Sequence, residues 1–387
     1  MMTTVPAEGL LFAGGPLQRA ARRLGLVGGD ANSIALGVCL GGSLWLVLVA
    51  LTWIDGVGHE VFSISAIGAH VRLLVAVPLL FVAETLLAPR MATFVDAIVR
   101  SGVVRPGAVA RLEAEVALTR RLARSWLGEL VCLLGALAML LAGSHLHLYG
   151  LTAAPHAEGV PVSDTLAGRW YGIFCLTVVR YLLLRWLWRI LLWCRFLWQL
   201  SRLDLHLVPT HPDRQAGLGY LQAVHAQFMP LVVAISAIQA SGLAEEIAQG
   251  KTPFEAVAPA AMLLLAFAAA LVLGPLLILG PKLREARLCG LERYMEAASR
   301  YVVAFEDKWI EPAGDPGEAF LGTADIQSLA DLQGSFSAVD DMRWIPIGLR
   351  PAFLTAIATL APMAPLLLFK YPIAELAEKL MGHLIGS

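Results

Sequence analysis

Charge is scarce in this sequence: charged residues make up 15% of its 387 positions, where a soluble domain carries roughly a quarter. The net charge of −1 excludes a global field for nucleic acid. Cysteine is sparse as well. Cys39, Cys132, Cys175, Cys194 and Cys289 form no CxxC pair, which argues against a disulfide framework and against a metal-thiolate site. Catalytic signatures are missing: there is no GxxxxGK[ST], HExxH or GxSG, and His59-Glu60 has no second histidine four residues on. Glu245-Glu246 likewise has no arginine four residues further along. No cofactor, metal or catalytic residue is therefore expected. Nor is a cleavable leader, since the apolar run from Gly9 to Gly15 has no basic residue before it.

What the chain has instead is apolar length. Hydrophobic residues make up 58%, the mean hydropathy is +0.69, and the excess falls in blocks of about twenty residues, enough to cross about 30 Å of hydrocarbon as helix. Seven spans are predicted: 33–54, 65–88, 126–148, 170–200, 221–245, 255–280 and 351–371. The fold class is thus all-α, a polytopic transmembrane bundle forming one membrane domain over 1–387, with the lipid bilayer as its solvent. The connections 1–32, 89–125, 201–220 and 281–350 hold 20 of the 29 Lys and Arg. The alternating set holds only Arg169, Lys251, Lys370 and Lys379. This bias predicts a cytoplasmic N-terminus, an external C-terminus and cytoplasmic helical segments at 89–125 and 281–350. Arg19, Arg22 and Arg23 predict a short interfacial helix over 16–26. Trp53, Trp126, Trp170, Tyr171 and Tyr371 fall near span ends, where aromatic belts form. Pro78, Pro230, Pro259, Pro275, Pro362 and Pro365 predict kinked or broken spans.

Five arginines lie inside the spans, each costly unless paired, hydrated or able to snorkel. Arg180, Arg185, Arg189 and Arg195 share the fourth span, but not the single stripe a voltage sensor needs. Counting residues from span ends puts Glu84, Glu129 and Arg195 at one depth, which predicts a buried ion-pair network, with Arg189 a further candidate member. Arg72 and Arg180 lie deeper, with no acid at matching depth. Together with Arg185 and Arg189 they are candidates to line an aqueous cavity for a small anion. Satisfaction by carbonyls and water in a purely structural bundle is the other reading. His145-x-His147 has no further ligand at metal-binding spacing.

Two segments carry helical seams. Leu288, Leu291, Met295, Ala298, Val302, Phe305 and Trp309 repeat at heptad spacing; Val109, Leu112, Val116, Thr119 and Ala123 repeat more weakly. Either these helices pack on each other within one chain, or 288–309 holds a homo-oligomer. A further amphipathic helix is expected from Asp325, acting as its N-cap, to Arg343. The turn after the fourth span contains Asp204, His211, Asp213, Arg214, Gly217 and Gly219. Its prolines fix the chain direction and its glycines permit tight geometry.

The stretch Arg185 to Leu221 contains Thr210-His-Pro-Asp-Arg-Gln-Ala-Gly-Leu-Gly219. With Leu321-Gly-Thr-Ala-Asp-Ile-Gln-Ser-Leu-Ala-Asp-Leu332, His70 to Leu80, and Glu84, it resembles a family of polytopic bacterial inner-membrane proteins without an established activity. Ala216 departs from the glycine usual there. The resemblance implies multi-pass placement in the bacterial inner membrane and no specific chemistry. Three functions stand on these residues: a channel or transporter-like protein with an arginine-lined, anion-leaning cavity; a scaffold or sensor docking a partner through its cytoplasmic helices; and a membrane enzyme acting on lipid or envelope substrates. Arginines facing water favour the first, arginines sealed by acids the second.

Overall fold

The computed structural model describes residues 10–11, 32–142, 165–311, 317, 322–345 and 348–370. The expected interfacial helix over 16–26 and the histidines His145, His147 and His156 lie outside them. The described residues form a helical bundle with no strand, and the one pairing of extended backbone is an isolated bridge between Val104 and Leu205.

Among the described residues five helices are long and apolar enough to cross a membrane: α1 (Ser33–Ile54), α2 (Ile67–Arg100), α6 (Tyr220–Ala248), α7 (Phe254–Leu277) and α10 (Leu349–Phe369). Between α2 and α6 lie α3 (Pro106–Ala123) and α4 (Trp126–Leu141), joined at a 42° bend and together long enough to count as a sixth. Next comes α5, a continuous helix over 166–201 that carries five arginines, Arg169, Arg180, Arg185, Arg189 and Arg195. On the basic side follow α8 (Gly280–Phe305) and α9 (Ala324–Asp340). The chain is a multi-pass helical membrane protein.

The core lies where α2, α5 and α6 meet. Phe94, Trp193, Phe196 and Phe228 are all buried there, and the Trp193 ring stacks on Phe196 at a centroid distance of 5.5 Å. Trp193 Nε1 donates to His225 Nε2 at 3.1 Å, so Nδ1 of His225 carries the proton donated to the Val272 carbonyl at 2.6 Å. A buried histidine with both nitrogens engaged is a fixed polar bolt. α1 packs on α2 through Gly37, where any Cβ would lie 2.8 Å from the Phe81 ring, and through Gly41, which abuts the Leu73 carbonyl.

Among the described residues, π-helical turns interrupt α2 at Val71–Ala76 and α5 at Tyr171–Cys175, and a third, Glu306–Ile310, follows α8. Pro78 follows the first directly and offers no N–H to the preceding turn, so the widening stands where the α ladder is already broken. Trp53 and Trp126 are well exposed, as an aromatic belt requires, but Tyr171 is fully buried. Of the wide turn around it, Tyr171 and Cys175 face the bundle, while Ile173 and Phe174 are exposed.

On the basic side α8 packs chiefly against α9, not against α3 as the two seams suggested. The buried residues of α3 (Ala108, Leu112, Val116, Thr119) serve contacts with α5. The N-cap of α9 is Thr323. Asp325 instead uses its carboxylate to accept from Lys308 Nζ at 2.9 Å and Trp309 Nε1 at 3.0 Å. Tyr301 of α8 donates to the Asp325 carbonyl at 3.0 Å, while the seam positions Leu288, Met295 and Val302 are left exposed.

Candidate functional site

The intramembrane charges gather in two clusters. In the first, Arg72 Nη2 lies 3.6 Å from Glu245 Oε2 and Arg72 Nη1 donates to the Tyr171 hydroxyl. The Gly68 amide donates to Glu245 Oε1 at 2.8 Å. A Cβ at Gly68 would sit 2.5 Å from that oxygen, so only glycine admits the carboxylate to the backbone. Arg72, Glu245 and Tyr171 are each at most 2% exposed. Arg180 is buried beside them, with Tyr171 and Arg72 as electrostatic neighbours.

Arg72 therefore has an acid, where depth counting found none. Helical side chains lean toward their own N-terminus. α2 and α6 run in opposite directions, so Arg72 leans toward the membrane surface while Glu245, near the far end of α6, leans inward. The two heads meet although their Cα positions suggest different depths.

In the second cluster Arg189 grips Glu84 with two bonds, Nη1 to Oε2 at 2.9 Å and Nη2 to Oε1 at 3.1 Å. Such bidentate geometry is the strong form of the pair. Arg185 bridges onward, 3.9 Å from Glu84 and 3.7 Å from Glu129, and the Tyr181 hydroxyl donates to Glu129 at 3.2 Å. Two acids and two arginines cancel. The space among Leu80, Phe81, Glu84 and the two arginines leaves no volume for a water molecule.

Arg195 does not join them. It pairs with Glu115 of α3 at 2.9 Å and reaches Thr119 at 3.4 Å. The arginine level with Glu84 is Arg189, six positions earlier in α5 and so about 9 Å away along the axis. α2 continues as helix to Arg100 and α5 to Ser201, so the ends of apolar runs do not mark equal depth.

The turn residues build a third feature. The Asp213 carboxylate accepts from the amides of Gln215 at 2.8 Å, Gly217 at 3.1 Å and Gly219 at 2.7 Å. Left-handed Arg214, Ala216 and Gly217, at φ 57°, 54° and 95°, curl these amides around it. Concave backbone of this kind is an anion cradle, and here the chain's own aspartate fills it. His211 Nδ1 lies 2.8 Å from Asp213. Asp204 pairs at 3.3 Å with Arg105 at the head of α3. The Arg214 carbonyl accepts from Arg343 at 2.8 Å, its side chain lies 3.6 Å from Asp341, and Pro209 sits against Gly290 of α8. The turn is a keystone joining α3 to the α8–α9 layer.

Sequence reasoning missed Glu245, Tyr171 and Glu115. Opposed side-chain lean would have found Glu245; nothing in the sequence marks Tyr171 as a buried partner or singles out Glu115 as the acid for Arg195. Among the described residues no cluster of three or more His, Cys, Asp or Glu is placed to hold a metal ion. No protein-family model, curated protein or solved structure matches this chain.

Proposed function

We propose that the chain is a non-conducting scaffold of the bacterial inner membrane, with its basic side in the cytoplasm. On this reading it belongs to the family its two motifs resemble, crosses the membrane seven times, and docks a second copy of itself through α8. One observation supports the reading: three of the four arginines expected to line an anion pathway sit against acids instead. Arg72 faces Glu245, and Arg185 and Arg189 share Glu84 and Glu129. A neutralised cluster with no room for water offers an anion neither field nor path. Charges arranged this way fix which helices neighbour one another, a registry role attested for buried polar groups. The docking side is carried by Leu288, Met295 and Val302, one heptad apart and all exposed, a stripe that a copy of itself would cover.

Two measurements test this. Proteoliposomes should pass chloride and other small anions no faster than protein-free vesicles under any gradient or voltage. Flux that disappears in the Arg72→Gln/Arg180→Gln double variant would establish the pore instead. In a Cys289→Ser background, Met295→Cys should form a disulfide-linked dimer in membranes, while Glu296→Cys, exposed but about 100° around the helix from the stripe, should do so less. A monomer at both positions removes self-docking.

A further inference from the structure

A basic cup opens where α3 bends into α4. Arg120 and Arg121 line it from α3, Arg124 and Ser125 from the bend, and Trp126 and Leu127 from the start of α4, around a volume of about 700 Å³ with no carboxylate among its described lining residues. Beyond Trp126 a second, apolar groove of about 480 Å³ runs between α4 and α5, floored by Leu130, Leu133, Val178 and Tyr181. Trp126 belongs to both, so cup and groove are continuous. Glu129 borders the groove, but Arg185 and Tyr181 hold its oxygens from the bundle side. Trp126, Leu130 and Leu133 are all lipid-exposed.

We infer that this elbow binds an anionic phospholipid, with the headgroup phosphate in the arginine cup and an acyl chain along the α4–α5 groove. The placement agrees with the chemistry of each half. The cup stands at the level where α4 enters the apolar layer, and basic pockets at that level take anionic headgroups. The first amides of α4 add the positive end of a helix, favourable to phosphate. Ser125 Oγ occupies only one of them, accepting from Leu127 N at 3.2 Å. The groove separates a lipid from a free phosphate, since a soluble anion has no use for an apolar slot between two membrane helices. The occupant would also brace the 42° bend between α3 and α4.

The test uses the full chain in nanodiscs and a phosphatidylglycerol carrying a photoreactive group on one acyl chain. Labelling is expected on the peptide containing residues 126–133, competed by unlabelled phosphatidylglycerol and not by phosphatidylcholine. Arg121→Gln should weaken competition about fivefold, and the Arg120→Gln/Arg121→Gln/Arg124→Gln variant more than tenfold. Arg284→Gln/Arg293→Gln/Arg300→Gln, which removes the same charge from exposed α8 positions, should change nothing. Leu133→Trp should block the groove and abolish labelling while leaving folding intact. If the triple variant does not fold, Arg121→Gln carries the comparison, because that side chain is exposed. Equal competition by phosphatidylcholine, or equal weakening by the α8 variant, would reduce the elbow to diffuse surface charge and overturn the site. Competition by inorganic phosphate matching that of the lipid would make it a free-anion site and overturn the lipid.

Discussion

Arg72 and Tyr171 meet head to head from two π-helical turns, the guanidinium donating to the phenol hydroxyl. A π turn carries an extra residue and swings one side chain away from its α register. Two such turns facing each other, with Glu245 completing the contact, make this the most deliberate polar construction in the bundle. Breaking a buried pair by removing one partner costs about 3–5 kcal/mol, whereas replacing both with apolar groups is often neutral. Glu245→Gln and Arg72→Met should each lower the thermal midpoint sharply, and Arg72→Met/Glu245→Leu should recover much of the loss. Tyr171→Phe should cost less, about 1–3 kcal/mol, as one buried donor loses its acceptor. Additive single losses in the double variant would refute the coupling.

The inner cluster makes a sharper comparison. Glu84 accepts two bonds from Arg189 and lies within 3.9 Å of Arg185, so Glu84→Gln should destabilise by several kcal/mol on the same argument. Arg195 and Glu115 are about a quarter exposed, and such a pair is screened to about 1 kcal/mol or less. Double-variant cycles should show strong coupling for Glu84 with Arg189, weak coupling for Glu115 with Arg195, and none for Glu129 with Arg195.

That ranking marks what could be read from the sequence. Apolar runs of about twenty residues carry fold class, because hydrocarbon thickness sets their length. Glu84 and Glu129 could be singled out as acids needing arginines, because ionisable groups in a membrane need partners. Which arginine each would find could not be read, because depth counted from the end of an apolar run ignores how far a helix continues and which way its side chains lean. Glu245 looked superficial for that reason, and Tyr171 looked like a belt residue because nothing local in Trp170-Tyr171-Gly172 announces a π turn.

The Asp213 cradle predicts opposite outcomes at adjacent positions. Ala216 is buried at φ 54°, a left-handed conformation that costs an L residue about 1–2 kcal/mol. Ala216→Gly should therefore raise stability, by up to about 1 kcal/mol after the added freedom of the unfolded chain is discounted. Gly217→Ala should lower it: φ is 95°, and the new Cβ would lie 2.7 Å from Val103 Cγ2. Asp213→Asn leaves three amides with a neutral acceptor and should loosen the turn. Thermal melts of the three variants in one detergent check the order.

Acid should release the α8–α9 layer at one point. Hydrogen bonds from Lys308 and Trp309 hold the Asp325 carboxyl below the usual aspartate range. A depressed folded pKa gives stabilisation that is complete above the unfolded value, near 4 for aspartate, and lost as pH falls through the folded value. Limited proteolysis across 306–325 should stay constant from neutral pH to about 5 and accelerate in the acid range below the ordinary aspartate pKa. Asp325→Asn should show the faster cleavage at every pH, without the acid-dependent rise.

The number of crossings can be read with two cysteines. In a background with Cys39→Ser and Cys289→Ser, which removes the two exposed thiols, single cysteines replace Gly159 and Lys251, with Arg293→Cys as the basic-side reference. If α4 and α5 both cross, residues 159 and 251 lie on the face opposite 293. If α4 crosses and α5 does not, α6 and α7 both run reversed, so 159 stays outside while 251 moves inside and 293 becomes exposed outside. If neither crosses, 159 moves to the basic face and 251 returns to the opposite one. An impermeant thiol reagent applied to intact cells therefore gives a different pair of answers for seven, six and five spans. Burying the paired Arg185 and Arg189 inside the bundle lets α5 cross despite its charge, so the expected result is labelling at 159 and 251 and protection at 293. Protection at 251 with labelling at 159 would place α5 on the membrane surface and leave the neutralised cluster without its reason.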